Sequence, residues 1–167
     1  MDCGPGQPWT LPAGQTLHID ESLRIERPCD LLVLGSIVAR GGSGASIELV
    51  SPGSITVLGA LKAGSGATGV PGAAARDGGE GGSVRLVAGQ SATCPGCTAP
   101  AMFLGPAATL QAGDGGDGAA STAVLGLVDG AASACSCVIG GEGGHGGLVE
   151  IRAPAAVLAG LVIAGRG

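Results

Sequence analysis

The sequence predicts an all-β fold: a right-handed parallel β-helix (solenoid) of about four coils, with glycine-rich, polyproline-II-like loop excursions at one corner. Three observations predict it. An apolar–charged–apolar strand pattern occurs four times, a second pattern of small residue, aliphatic residue and alanine follows each copy, and some copies are separated by glycine-rich stretches. Repeats too thin to bury their own apolar face are typical of stacked coils. Parallel crossovers are right-handed in about 98% of cases, which gives the predicted hand.

The first strand pattern predicts an interior column and an exterior ladder. Its copies are centred on charged residues whose signs alternate along the chain: Arg24, Glu48, Arg85 and Glu150. In-phase stacking puts the aliphatic residue that follows each charge in one interior column: Ile25, Leu49, Leu86 and Ile151. Opposite charges on neighbouring strands stabilise a sheet by roughly 0.2 to 1 kcal/mol per pair. We therefore interpret these charges as a structural ladder.

The second pattern begins at a small residue and ends on an alanine. The four alanines are expected to form a corner column with room for a methyl group: Ala39, Ala63, Ala112 and Ala164. In the third copy about a dozen residues, from Ala88 to Pro100, are inserted between the two patterns.

The glycine-rich run from Gly64 to Gly82 has a period of three. Glycine recurs at positions 66, 69, 72, 78 and 81, with Ala75 in the one gap. Polyproline II turns once per three residues and has no internal hydrogen bonds, so glycines on one face let neighbouring backbones approach. A longer excursion runs from Gly113 to Gly147 and a short one from Gly41 to Gly44. Because equivalent corners of successive coils lie about 4.8 Å apart, we expect a second packed layer rather than flexible linkers.

The length of 167 residues fits one domain. We divide residues 1–167 into an N-terminal segment and cap (1–20), coils one and two (21–63), a glycine-rich excursion (64–82), coil three with the cysteine insert (83–112), a second excursion (113–147) and a last, uncapped coil (148–167).

Composition excludes several functions. The net charge of −5 and eight scattered basic residues argue against nucleic acid as a partner. No apolar run approaches the ~20 residues of a membrane-spanning helix. The start of the sequence lacks the features of a signal peptide, and we interpret Met1 as replacing a removed export signal. Six cysteines in a glycine-rich chain of low charge indicate an oxidising compartment, hence a secreted or cell-surface protein.

Acidic residues of the glycine-rich stretches form pairs spaced by three. Spacing of three puts both members on one face of a polyproline II segment. Gathered carboxylates are candidate ligands for calcium, which takes six to eight oxygens; alternatively, these side chains simply solvate the outer face. The candidate metal ligands are Asp77, Glu80, Asp114, Asp117 and Glu142, with His145 as the partner of the last.

The cysteines predict disulfide bonds. Cys3 and Cys29 bracket the first coil and are expected to tie the N-terminal segment to it. The remaining four lie in the two inserts as Cys94, Cys97, Cys135 and Cys137. Zinc ligation is the competing interpretation, but the one-residue spacing of the last two is tight for one metal. A redox role is disfavoured because no helix begins after Cys94. The connectivity stays open between Cys94–Cys97 and cross-links between the inserts.

Catalysis is not expected. The strand-borne charges fit a ladder better than paired catalytic carboxylates. The two histidines, His18 and His145, are far apart in sequence and no serine or cysteine nucleophile motif accompanies them.

Several stretches resemble a known family. VLGALKAG (57–64) and the GG-x-GG-x-V-x-L approach to two strands resemble the glycine-rich parallel β-helix domains of large secreted or surface-anchored bacterial proteins. WTLPAGQTLHI (9–19) is similar to the first coil of pectin-lyase-like β-helices. The resemblance implies the fold; its members include adhesins, passenger domains, phage tail parts and polysaccharide-cleaving enzymes, so it does not select one function.

We expect an extracellular structural or adhesive module. The sequence closes on a strand pattern with no polar cap, which predicts that the native chain continues or that copies stack end to end into a filament. The predicted stacking edge is Leu161, Val162, Ile163 and Ala164. The alternative is a calcium-dependent carbohydrate-binding or polysaccharide-processing module with a surface glycan as its partner. Ice binding is disfavoured because no regular Thr-x-Thr ladder is present.

Overall fold

The computed structural model describes residues 7–69, 77–89, 102–118, 142–153 and 156–167. These ranges contain short strands and, within them, no helix with the length and hydropathy needed to cross a membrane. The strands are β1 (Trp9–Leu11), β2 (Thr16–Ile19), β3 (Leu23–Glu26), β4 (Leu31–Val33), β5 (Ser36–Ala39), β6 (Ile47–Ser51), β7 (Ile55–Val57), β8 (Ala60–Lys62), β9 (Val84–Ala88), β10 (Met102–Leu104), β11 (Thr109–Gln111), β12 (Val149–Arg152), β13 (Ala156–Leu158) and β14 (Leu161–Ile163).

Successive strands go to three different parallel sheets in rotation. The first sheet has the order β1-β4-β7-β10-β13, the second β2-β5-β8-β11-β14 and the third β3-β6-β9-β12. We call each set of consecutive strands, one per sheet, a rung. Each strand therefore pairs with its counterpart one rung earlier, and every pair is parallel.

The predicted fold class is wrong as stated. The all-β content and the parallel pairing of strands agree with the structure, but the strands form three separate sheets of five, five and four strands. These sheets do not close into the single right-handed β-helix of about four coils that the repeats predicted. The error arose because each repeat was assigned two strands, while the chain forms a third between them.

The missed strands make up the first sheet. They are short apolar segments, such as Leu31–Val33 and Ile55–Val57, with two buried residues flanking a half-buried one. Three residues are too few to establish an alternating pattern by themselves. Their recurrence before each small residue of the second pattern is the signal that identifies them.

The core lies between the inward faces of the three sheets. The predicted column in the third sheet is confirmed, because Leu49 pairs in register with Ile25 on one side and with Leu86 on the other. Corresponding columns run through the first and second sheets, where Ile55 pairs with Met102 and Leu61 with Leu110. Except for Ile25, which is partly buried, these interior residues are fully buried. Burying an aliphatic side chain stabilises a fold by about 1.5 to 3 kcal/mol, so the columns supply most of the driving force.

The glycine-rich segments pack beside the second and third sheets. We define the glycine layer as the described residues 41–46, 64–69, 77–82, 113–118, 142–147 and 164–167. The segments that leave the second sheet, 64–69 and 113–118, bond to each other at every third residue. Gly66 N–H donates to the Asp114 carbonyl and Gly69 N–H to the Asp117 carbonyl, each at 2.8 Å. Residues 70–76, the rest of the first long excursion, lie outside the described residues.

The segments that lead back into the third sheet, such as 77–82, bond to the segments that leave the second sheet. Gly79 N–H donates to the Ala67 carbonyl at 2.7 Å, and Gly116 N–H donates in turn to the Gly79 carbonyl at 2.8 Å. The segments of the two directions therefore alternate, and hydrogen bonds between backbone groups join them. The glycines that face this interior, including Gly66, Gly116 and Gly144, are buried.

The absence of side chains is a steric requirement at these positions. A Cβ atom added at Gly116 would lie 2.0 Å from the Ala67 carbonyl oxygen, which is backbone and cannot move aside alone. At Gly143, in the neighbouring segment, the atom nearest to an added Cβ would be the Gly116 carbonyl oxygen at 3.7 Å, an ordinary contact.

These two sites give a matched test of the packed layer. We expect Gly116→Ala to destabilise the fold by about 2 kcal/mol or more, as overpacking of a closed interior does. Gly143→Ala should be neutral or stabilise slightly, because it removes conformational freedom from the unfolded chain. Urea unfolding of both variants measures the difference, and equal stability of the two would contradict the packed layer.

Candidate functional site

The outward charges of the third sheet form a continuous ion-pair ladder, as the alternation of sign predicted. Glu48 is at its centre: one carboxylate oxygen lies 2.9 Å from Arg24 Nη1 and the other 2.8 Å from Arg85 Nη1. Arg85 Nε lies 2.9 Å from Glu150 Oε2 at the end of the ladder. Each charged group of the ladder therefore forms an ion pair with a neighbour of opposite sign.

The ladder has different partners at its two ends. Arg24 bonds to Glu26 of its own strand as well as to Glu48, and these contacts raise the pKa of Arg24, the hydrogen bond with Glu26 contributing most. At the other end Glu150 bonds to Arg152 of its own strand, with Arg152 Nε donating at 2.6 Å. Both terminal charges remain partly exposed.

A row of serines, not predicted from the sequence, accompanies the ladder. Each serine directly precedes an apolar–charged–apolar strand, and its hydroxyl oxygen accepts the backbone N–H at the same position one rung later. Ser22 accepts from Ser46 at 3.0 Å, Ser46 from Ser83 at 2.9 Å and Ser83 from Leu148 at 3.1 Å. The signal in the sequence was the serine before three of the four strands, replaced by Leu148 before the last.

Two of the acidic residues proposed as metal ligands serve as backbone acceptors. Asp77 Oδ1 accepts the N–H of Glu142 at 2.9 Å, and Asp114 Oδ1 accepts the N–H of Arg166 at 2.8 Å. Each carboxylate thereby joins two parallel segments of the glycine layer. Glu80, Asp117 and Glu142 are exposed on its surface. Within the described ranges, no group of three or more His, Cys, Asp or Glu side chains is placed to hold a metal ion.

The remaining candidates are separated in the structure. His18 is exposed on β2, whereas His145 is in the glycine layer, where its carbonyl accepts the N–H of Gly81 at 2.8 Å. Cys29 is disulfide-bonded. Cys3, Cys94, Cys97, Cys135 and Cys137 lie outside the described residues.

A groove opens where the second sheet meets the glycine layer. Its volume is about 300 Å³, and its polar lining comes from Lys62, Ser65, Gln111 and Asp114. Three alanines of the corner column, at positions 39, 63 and 112, also line it, together with Val38, Gly41 and Gly113. The groove brings one of the predicted acidic ligands next to a lysine and an amide.

The final strands of the first and second sheets have exposed apolar side chains. Val162 is 43% exposed, while its partner in the preceding rung, Leu110, is fully buried. The neighbouring residues of the predicted stacking edge, Leu161 and Ile163, are 58% and 38% exposed, and Ala164 is exposed as well. Leu158 of β13 is likewise exposed above buried Leu104.

Neither family models, nor curated proteins, nor solved structures match this chain.

The structural role of the acidic pairs can be tested within one segment. Asp114→Ala removes the oxygen that accepts the Arg166 N–H, and we expect a loss of about 1 kcal/mol in unfolding free energy. Asp114→Asn retains that oxygen and should unfold close to the wild type. The matched control is Asp117→Ala, three residues along the same segment, where the removed carboxylate has no hydrogen bond to a described residue. If the asparagine and alanine variants of Asp114 unfold alike, the hydrogen bond contributes nothing.

Proposed function

We propose that this chain is an extracellular or cell-surface structural module that associates with further copies of itself through β13 and β14. The observation that carries the proposal is the exposure of the last aliphatic residues in two interior columns. The columns that are fully buried in the middle rungs, for example at Leu110 and Leu104, end here on large exposed residues, Val162 and Leu158. Open edges of parallel strands also leave backbone groups ready to pair with another chain.

The opposite end of the second sheet offers a matching surface. Following the register from rung to rung, Val162 lies in the same column as Leu110, Leu61, Ile37 and Leu17. Leu17, at the other end of that column, is 38% exposed. Stacking β14 of one copy on β2 of the next therefore continues an existing aliphatic column with residues of suitable size.

The location outside the cell is supported by chemistry. Disulfides persist in oxidising compartments and are rare in the cytosol, and Cys29 takes part in one. The small proportion of charged residues, 13%, and the glycine-rich layer suit a structural protein whose surface is made largely of backbone.

Self-association can be tested by substituting a residue of the exposed β14 edge and, as a control, a residue away from that edge. We expect the wild-type protein to form concentration-dependent assemblies in sedimentation velocity, and Val162→Lys to remain monomeric because a charge in the column opposes burial. The control is Leu58→Lys, a residue of similar exposure, 39%, on the side of the molecule. The control should assemble like the wild type. A wild-type protein that stays monomeric at millimolar concentration contradicts the proposal.

A second candidate is calcium-dependent carbohydrate binding at the groove. It is favoured by the position of Asp114 beside Lys62 and Gln111, since polar side chains over a small-residue floor suit a sugar. Asp114 Oδ1 is already engaged by the Arg166 backbone, which leaves one oxygen for a ligand.

This candidate predicts that calcium raises the melting temperature and that a chelator reverses the rise. Asp114→Asn should abolish the calcium effect while leaving the metal-free stability unchanged. Asp117→Asn is the control, because Asp117 is absent from the groove lining. A melting temperature that is insensitive to calcium would eliminate this candidate.

A further inference from the structure

The groove beside the second sheet has two walls that repeat from rung to rung. The first wall is an outward column of that sheet, in which Val38 pairs with Lys62 and Lys62 with Gln111. The second wall belongs to the glycine layer and contributes the residue three positions later in each rung: Gly41, Ser65 and Asp114. The strands of the first wall, β5, β8 and β11, lie between β2 and β14. The groove is therefore bounded by described strands at both ends and runs in the direction in which the rungs stack.

The second wall is held in place by backbone groups of neighbouring rungs. The Ser65 hydroxyl oxygen accepts the N–H of Gly42 at 3.3 Å, and Asp114 Oδ1 accepts the N–H of Arg166 at 2.8 Å. Ser65 retains its O–H as a donor, and Asp114 retains its second carboxylate oxygen as an acceptor. Groups that are already fixed lose little conformational entropy when a ligand binds to them.

The first wall contributes polar groups that have no partner within the described part of the chain. Lys62 is exposed and forms neither an ion pair nor a hydrogen bond with a described residue, whereas Arg40 in the preceding rung pairs with Asp20 at 3.0 Å. The half-buried Gln111 side chain is likewise without a described hydrogen-bond partner. Its amide can donate and accept, and the Lys62 ammonium group can donate three hydrogen bonds.

Two successive rungs thus present one polar pair each, Lys62 with Ser65 and Gln111 with Asp114. The positive charge of Lys62 and the negative charge of Asp114 offset each other, which favours a neutral ligand. An acidic ligand would place its own charge near Asp114, and like charges oppose association. The alanines at positions 39, 63 and 112 lie between the walls and provide an apolar surface for the C–H groups of a sugar.

We propose that the groove binds an extended, neutral β-1,4-linked glycan that lies along the stack with one sugar in each rung. Successive rungs lie about 4.8 Å apart, which is close to the advance per sugar of such a glycan. The lining comes from three rungs and the volume is about 300 Å³, so a trisaccharide fills the groove with one side facing water. This inference rests on the second candidate function, carbohydrate binding, but it specifies the class of sugar and requires no calcium.

A length series of cello-oligosaccharides tests the arrangement of one sugar per rung. Binding is measured by isothermal titration calorimetry on the Val162→Lys protein, in which the groove is unchanged and self-association adds no heat. We expect the trimer to bind about tenfold more tightly than the dimer, and the hexamer about as tightly as the trimer, because the lining ends after three rungs. Malto-oligosaccharides of the same lengths are the control, since their α-linkages curve the chain away from the groove.

Substitutions of the first wall locate the binding. Lys62→Met and Gln111→Leu approximately retain side-chain volume and remove the polar groups, and each should weaken trimer binding by about tenfold. The matched control is Thr109→Val, on the same face of β11 but outside the groove lining. This variant should bind like its parent. Melting temperatures of all three variants verify that the fold is retained.

The inference is overturned if malto-oligosaccharides or a polyuronate bind as tightly as cello-oligosaccharides; carbohydrate binding by the groove then stands without the proposed specificity. Binding that occurs only with calcium, and is lost with a chelator, would likewise support the second candidate and contradict the calcium-free arrangement. Trimer binding that neither Lys62→Met nor Gln111→Leu weakens would place the site elsewhere. If no glycan binds at millimolar concentration, both the inference and the second candidate fail.

Discussion

In-register parallel pairing between successive rungs is the constraint on which the rest of the structure depends. Among the described strands every pair keeps inward side chains beside inward ones, because a shift by one residue would turn each inward side chain outward. The register places Leu49 between Ile25 and Leu86 on the inside and Glu48 between Arg24 and Arg85 on the outside. The same few residues therefore set both the core and the ladder.

The register also explains why so much of the chain is glycine. Strands of the second and third sheets repeat at the spacing of parallel strands, so the segments that leave and return between them are held close together. At that spacing the backbones contact directly, and a Cβ atom at Gly116 would collide with a carbonyl oxygen. The glycine layer is stabilised by backbone hydrogen bonds and by carboxylates such as Asp114 that bond to neighbouring N–H groups. Acidic side chains thus stabilise the glycine layer without any bound ligand.

The sequence predicted those features that repeat with a recognisable period. The alternation of sign from Arg24 to Glu150 was sufficient for the ladder, and the period of three around Gly66 matches the spacing of the hydrogen bonds. Two features were missed: the short strands of the first sheet, such as Leu31–Val33, and the single serines before the third-sheet strands. The three-sheet arrangement itself follows only once those short strands are included, which is why the predicted fold class needed correction.

Amide hydrogen exchange, measured by NMR on the monomeric protein, tests most directly whether the glycine-rich segments form an ordered layer in register with the strands. The account predicts slow exchange at the donors Gly66, Gly69, Gly116 and Gly144, comparable with strand amides, because their N–H groups bond to neighbouring carbonyls. It predicts fast exchange at Gly143 and Gly146, whose N–H groups donate to no described acceptor. Uniformly fast exchange at all of these glycines would contradict the account.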